Sequence, residues 1–386
     1  MIKLHIISTS RADFGILKEF IKKIKLDKRF KSKFIVSGSH LSKNYGYSIK
    51  EIILEKIRID KKIPIECKAS ESSDMLNDIN KINQNYTKYI SSNKPDIVIV
   101  FGDRYEMLPF ALTAYLHGVP IAHIHGGEVT QGSLDDGIRN AITKLSNIHF
   151  VSNAVHKKRV EQMGEERQKV INIGYLSHET IRKTKLVSKK KFEKYFKISF
   201  MKNIIVINLY AETAIIKKFN VQFLKKLSKF LSGLKNTSLI FTKPGSDVDN
   251  LKIYNFFLKY FKNKNNCFFF KSLGSKKYLS LLNFSNIMIG NSSSGILDMP
   301  FFFKPSINIG QRQFGREKFY SVIDSYYNIH EFKKKYKKVI TKRFSEKIKI
   351  NNKIDKKKIE PSEKMISKLL NLDFKSLNPK KFNDIK

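Results

Sequence analysis

Two rhythms of apolar and polar residues alternate along this chain. Short runs of almost unbroken apolar or β-branched residues are followed by longer stretches with apolar positions every three or four residues. The first rhythm suits strands buried on both faces, the second amphipathic helices. In the first half, Lys3–Ser8, Lys33–Ser37, Ile97–Phe101, Pro120–His125 and Ile148–Val151 predict strands. Asp13–Ile24, Tyr105–His117 and Asp136–Leu145 predict helices between them. The second half begins the pattern again, with strands over Asn203–Leu209, Ser238–Thr242, Cys267–Phe270 and Ile287–Ile289. Its helices are predicted over Phe219–Leu231, Asn250–Phe261 and Lys276–Phe284, with another opening near Ser293. The Lys-rich segment Thr180–Lys202 reads as a helix and a connection.

Strand, helix and strand repeated this often imply parallel sheets covered on both faces. At 386 residues the chain exceeds one ordinary core. The expected fold is α/β, with two Rossmann-like doubly wound domains facing a cleft. Residues 1–178 form the first and 179–360 the second, followed by a C-terminal helix and basic tail over 361–386. Within that tail Glu363–Leu370 predicts a packed helix, and the remainder a frayed end.

Composition narrows the function classes. Two cysteines, Cys67 and Cys267, sit far apart with no metal-ligand spacing around them, so no metal is expected and a reducing, cytoplasmic setting is. The apolar run Met1–Ser8 is too short for a secretion signal, and no apolar stretch approaches a membrane span. A net charge of +40 invites a nucleic-acid reading. Only 11 of the 74 basic residues are Arg, however, and the Lys is dispersed. Dispersed Lys reports a solvated surface with a general attraction for anions, so nucleic acid and membrane are not expected partners.

Ligands of open parallel sheets sit beyond the carboxyl ends of the strands, so the residues just after each strand are the candidates for chemistry. After the first strand comes Ser8-Thr9-Ser10-Arg11-Ala12-Asp13, where Arg11 and a helix N-terminus suit a phosphate as well as a plain cap. After Ile97–Phe101 come Asp103 and Arg104, and after Pro120–Ile124 come His125-Gly126-Gly127-Glu128. Asp135-Asp136-Gly137-Ile138-Arg139 then opens a helix. Each acid alone reads as a helix cap. Asp103, Glu128 and Asp135 converging on one rim would crowd carboxylates and spread their pKa values, as acid/base work requires. His40 follows a strand and faces the same rim, and His125, Arg104 and Arg139 join the binding set. In the second half, Asn291-Ser292-Ser293-Ser294-Gly295 links a strand to a helix without the Lys of a P-loop and suits a diphosphate. Asp298 lies one turn on, placed to accept from a sugar hydroxyl, and Arg312 and Arg316 lie beyond the next strand.

Taken in order, these segments resemble the UDP-N-acetylglucosamine 2-epimerase family in its hydrolysing branch. The matching residues are Ser10–Gly15, Gly38 with His40, Tyr45-Gly46, Gly102–Glu106, His123–Glu128 and Asp135–Arg139. They continue through Asn172–Gly174, Gly290–Gly295, Asn308–Gly310, Arg312-Gln313 and Gly315-Arg316. The resemblance implies a GT-B-like pair of domains and cytoplasmic synthesis of N-acetylmannosamine-type sugars for sialic-acid-like products. It implies a nucleotide-sugar substrate carrying UDP or GDP, no cofactor, and a homo-oligomer (dimer or tetramer). It assigns Asp103, Glu128 and Asp135 as acid/base carboxylates. Arg11, Ser292, Ser293, Ser294, Arg312 and Arg316 would hold the nucleotide and its diphosphate. The chain departs from the family at Tyr210, where a His is usual, at Thr9, where a Gly is usual, and in the loop Lys243–Asp247. A glycosyltransferase of the same shape is the alternative, although a transferase has little use for several carboxylates around C2.

Overall fold

Leu4, Ile6 and Ile7 of the first strand are all fully buried, and so are Ile97 to Val100 of the fourth. Only a sheet packed on both faces buries consecutive strand residues in this way. The computed structural model describes residues 1–386 apart from 44–46, 69–70, 132, 213–219, 244–249, 353, 355–358 and 385–386. Tyr45-Gly46, the first residue expected of the Phe219–Leu231 helix and most of the Lys243–Asp247 loop thus lie outside the described residues.

The first sheet comprises β1 (Ile2–Ser8), β2 (Phe30–Val36), β3 (Lys61–Lys62), β4 (Ile97–Phe101), β5 (Ile121–Ile124), β6 (Ile148–Val151) and β7 (Val170–Asn172). The second comprises β8 (Asn203–Asn208), β9 (Thr237–Thr242), β10 (Cys267–Phe270), β11 (Ile287–Gly290), β12 (Ser306–Ile309) and β13 (Val322–Ser325). Every pairing is parallel. The orders are β3-β2-β1-β4-β5-β6-β7 and β10-β9-β8-β11-β12-β13. Each sheet grows outward from its first strand in one direction and then in the other. The order therefore reverses between β1 and β4, and between β8 and β11, which is where such sheets open a crevice for ligands.

The chain divides into two compact units. Unit 1 is Met1–Glu128, Leu134–Lys183 and Lys357–Lys386, and unit 2 is Val129–Ser133 with Thr184–Lys356. In unit 1, Leu4, Ile6, Ile97 and Ile99 point into one apolar layer while Ile7, Ile35, Val98 and Val100 point into the other. In unit 2, Ile205 and Ile207 face one layer and Ile204 and Val206 the other. Phe supplies much of the second layer, with Phe192 packed edge-on against Phe270 and Phe284.

The pattern of apolar residues predicts no element between β2 and β4, yet a long helix forms over Ser72–Ser92. It buries only Asp78, Ile82, Tyr86 and Ile90, a stripe one residue wide at four-residue spacing. The joining segment holds two helices, Leu176–Lys183 and Lys189–Phe196. The helix after β4 starts at Leu108, later than Tyr105, and β5 stops at Ile124. His125 lies beyond the strand with φ +68°, a left-handed backbone unusual for any residue but Gly. Among the described residues past Leu370 the end expected to fray is anchored: Leu377 is buried, and Asn147 donates to its carbonyl at 2.8 Å.

Candidate active site

The helix Arg11–Leu26 begins directly beyond β1. Ser10 caps it, and Asp13 closes a capping box. The Asp13 carboxylate also accepts from Thr9 N at 2.8 Å and from Ser8 Oγ at 2.9 Å, so it organises the whole loop. Arg11 occupies the first helical position and is half-buried. His40 supports this loop from behind. It is 0% exposed, its Nε2 lies 2.8 Å from Ser8 Oγ and its Nδ1 2.9 Å from Ser48 Oγ. Burial, opposed by the charge of Asp13, holds the imidazole below its usual pKa. His40 therefore does not offer a free nitrogen to a ligand, contrary to the expectation. It braces the loop between Ser8 and Asp13.

Beyond β4, Gly102 takes φ +73° and its carbonyl accepts from His123 Nε2 at 2.7 Å. His123 is buried, its Nδ1 meets Thr143 Oγ1 at 3.1 Å, and burial pushes its pKa down to about 3. It is a neutral spacer that fixes where Asp103 leaves the sheet. Arg104 is engaged by the buried Glu106 in a two-pronged ion pair of 3.0 and 3.1 Å. Beyond β5, Gly127 adopts φ +75°, and a Cβ there would collide with the His156 carbonyl oxygen. The glycine therefore lets the loop fold tightly enough to bury Glu128 at 3% exposure. Glu128 Oε1 lies 2.8 Å from His125 Nδ1 and accepts a longer bond from Ser152 Oγ at 3.4 Å. His125 packs its ring on Phe101, and its Nε2 has no protein partner.

Arg139 gathers these loops. It is 1% exposed, the largest fully buried residue among those described. Its guanidinium donates to Asp103 Oδ2 in a short ion pair, to Asp136 Oδ1 at 2.9 Å and to the Glu128 carbonyl at 2.8 Å. Burial alone would lower its pKa, but the charges of Asp103, Glu128 and Asp136 outweigh burial and raise it. Arg139 is thus a buried clamp between strand-end loops, not a surface contact for a ligand. The carboxylate it grips on its own helix is Asp136. Asp135, the first residue of the helix Asp135–Leu145, precedes it by one. Sequence reasoning missed Asp136 as a member of this cluster, although its spacing of three residues from Arg139 places the two on one helical face.

Unit 2 has its own strand-end cluster. Asn291 is fully buried and clamps the backbone of Tyr210: Tyr210 N donates to Asn291 Oδ1 at 2.7 Å, and Asn291 Nδ2 donates to Tyr210 O at 2.9 Å. The loop Gly310–Arg316 is fastened to the same residue. Arg312 Nη1 and Gln313 Nε2 donate to Asn291 O at 3.2 and 3.0 Å, and Arg316 Nη1 donates to Gln313 Oε1 at 2.9 Å. The Arg312 guanidinium lies 5.4 Å from the centre of the Tyr210 ring. Ser292 caps the helix Ser293–Phe301, with Ser293 exposed and Ser294 half-buried. Gly295 is buried, and its carbonyl accepts from Ser306 Oγ at 2.6 Å. Burial pushes Asp298 up to about 6, against the Ser294 hydroxyl and the charge of Arg316. Two guanidinium groups and a helix N-terminus thus lie at one sheet edge, a combination whose charge is suited to an anion.

Among the described residues, no group of His, Cys, Asp or Glu is arranged to hold a metal ion, and no helix is long and apolar enough to cross a membrane.

Comparison with known proteins adds to this geometry. The family model for UDP-N-acetylglucosamine 2-epimerase matches residues 22–357. The chain is 39% identical over 345 residues to the GDP/UDP-N,N'-diacetylbacillosamine 2-epimerase (hydrolyzing) of Campylobacter jejuni, covering 89% of each. It is 34% identical over 329 residues to polysialic acid biosynthesis protein P7 of Escherichia coli, covering 84% of this chain and 82% of that one. Its fold is similar to that of UDP-GlcNAc 2-epimerase from Neisseria meningitidis, solved with UDP-GlcNAc bound. The TM-score is 0.80 at 17% identity, covering 96% of this chain and 100% of the other.

Proposed function

This chain belongs to the UDP-N-acetylglucosamine 2-epimerase family, in its hydrolysing branch, and from that premise we propose how its residues divide the work. The enzyme is a hydrolysing 2-epimerase. It converts UDP-N-acetylglucosamine, or a UDP- or GDP-linked diacetamido sugar, into a free manno-configured sugar and a nucleoside diphosphate. The diacetamido substrates are suggested by the name of the Campylobacter jejuni relative. The cytoplasm is the compartment, where Cys67 and Cys267 stay as free thiols.

The reaction runs in two stages. A carboxylate removes the C2 proton, the C2–H electron pair becomes the C1=C2 double bond, and the C1–O bond breaks with its electrons leaving on the nucleoside diphosphate. Water then adds its oxygen to C1, and a proton returns to C2 on the opposite face. Acid/base groups are needed on both faces. We assign these roles to Glu128, Asp103 and Asp135, with Asp136 and Arg139 setting the position of the cluster. His125, whose Nδ1 meets Glu128 and whose Nε2 has no protein partner, is suited to touch the sugar. Arg11, Ser292, Ser293, Ser294, Arg312 and Arg316 take the diphosphate, where donors aimed at the developing charge count most. Tyr210 donates to the leaving group through its hydroxyl, and Asp298 accepts from a ribose hydroxyl.

The observation that carries this reading is the buried Arg139 joining Asp103, Asp136 and the Glu128 backbone at one sheet edge. The test is to incubate the purified protein with UDP-GlcNAc and with UDP- and GDP-diacetamido sugars in D2O. Free nucleoside diphosphate should appear together with a manno-configured sugar carrying one deuterium at C2. Release of no nucleoside diphosphate from any donor would refute the function. Glu128→Gln should abolish turnover and leave nucleotide binding nearly intact; a fully active variant removes Glu128 from the mechanism.

A further inference from the structure

The helix Asp135–Leu145 carries Asp135, Asp136 and Arg139 at its beginning, and its other end is held by a segment running from Leu377 to Asn383. Lys380 Nζ donates to Ser146 O at 2.6 Å, Lys144 O at 2.7 Å and Thr143 O at 3.2 Å. These carbonyls belong to the last turn of the helix and its cap. They lie at the negative end of the helix dipole, and Thr143 O also accepts from Ser146 N at 3.1 Å. The same ammonium pairs at 2.8 Å with Glu165, which is 3% exposed. Three further contacts fix the strap. Asn147 Nδ2 donates to Leu377 O at 2.8 Å, Asn378 Nδ2 to Gly118 O at 3.0 Å, and Asn383 N to Gly164 O at 2.9 Å. The Phe382 ring sits where Gly164 leaves room, because any Cβ at 164 would collide with it.

We propose that Lys380 is a positioning residue for the reaction: the C-terminal strap pins the far end of the acid/base helix and so sets where Asp135, Asp136 and Arg139 stand. This rests on the assignment of that helix to catalysis. The groups that face Lys380 are Glu165, His149 on β6, Lys144 on the helix and Lys169 before β7. Burial pushes the ammonium down to about 8, against the opposing pull of Glu165. The charge that holds the helix end is therefore lost as pH rises through about 8. A guanidinium in its place stays charged throughout.

The experiment compares full-length wild type with Lys380→Met, Lys380→Arg and, as a control, Lys381→Met. Nucleoside diphosphate release is followed from pH 6 to 10, and backbone hydrogen exchange is followed over 135–147. Lys380→Met should lower kcat about tenfold with KM within twofold, and speed exchange across 135–147. Lys380→Arg should keep the wild-type rate at pH 7 and move the alkaline fall in kcat upward by at least one pH unit. Lys381→Met should match wild type in both readouts. Wild-type kcat and exchange in Lys380→Met would overturn the proposal, and so would an alkaline limb that Lys380→Arg leaves in place. If the wild type turns over no nucleotide-sugar, the functional reading fails. The exchange measurement then still decides whether Lys380 holds the helix.

Discussion

Replacing Arg139 with Met tests whether one buried cation organises the acidic cluster. The guanidinium donates to Asp103, Asp136 and the Glu128 carbonyl at 1% exposure, so Met removes the cation that two like charges share and one donor to a buried carbonyl. Breaking a buried pair by removing one partner costs about 3–5 kcal/mol. Asp103 and Asp136 are roughly a quarter exposed and keep some hydration, so the lower end applies, about 3 kcal/mol. For a unit of this size, each kcal/mol lowers Tm by about 2–4 °C, which predicts a fall of about 10 °C. Displacing a catalytic carboxylate by an ångström costs about a hundredfold in rate, and turnover should drop by at least that. Thermal unfolding followed by circular dichroism gives the first quantity, and nucleoside diphosphate release the second. Adding Asp103→Asn to Arg139→Met removes one stranded charge and should recover part of the lost stability. A Tm within 2 °C of wild type and turnover within tenfold would refute the clamp. A double variant whose loss is simply the sum of the two single losses would show that Asp103 and Arg139 are not coupled.

Two further predictions concern pH. Glu165 is held at about 2, below its ordinary 4.5, because hydrogen bonds from His149, Lys144 and Lys380 outweigh the effect of burial. Its folded pKa is depressed, so its contribution of about 3 kcal/mol is complete above pH 4.5 and lost as pH falls towards 2. Glu165→Gln should remove that step from the acid-unfolding curve of unit 1, and an unchanged acid profile would reject the pairing. Asp298 is shifted the other way, to about 6 from 3.8, chiefly by burial. Its folded form holds the proton more tightly, so stability declines as pH rises from 3.8 through 6. Asp298→Asn should make unit 2 more resistant to urea at pH 7 and erase that decline. A variant less stable than wild type at pH 7 would show that the carboxylate is well solvated or well paired.

Much of this site was legible because a parallel sheet delivers all its strand ends to one edge. Once Ile97–Phe101 and Pro120–His125 read as buried strands, Asp103 and Glu128 followed as expected rim residues. Nothing in the run His125-Gly126-Gly127-Glu128 shows that Gly127 packs against the His156 carbonyl, which lies 29 positions on. The long helix Ser72–Ser92 escaped because its buried stripe is one residue wide and begins with an acid, Asp78, that accepts from Glu66 N and Cys67 N. The role of His40 was misjudged because a histidine after a strand looks the same in sequence whether it faces solvent or a Ser pair.

Local periodicity determined the α/β class, the placement of most elements and the loops that carry acids, hydroxyls and arginines. That is because strand and helix periods are properties of neighbouring residues. Tertiary structure alone decided which of those charges are buried and with whom. Arg139 meets Asp103 across 36 positions and Lys380 meets Ser146 across 234. Desolvation and pairing over such separations depend on how layers stack, and no short window of sequence encodes that.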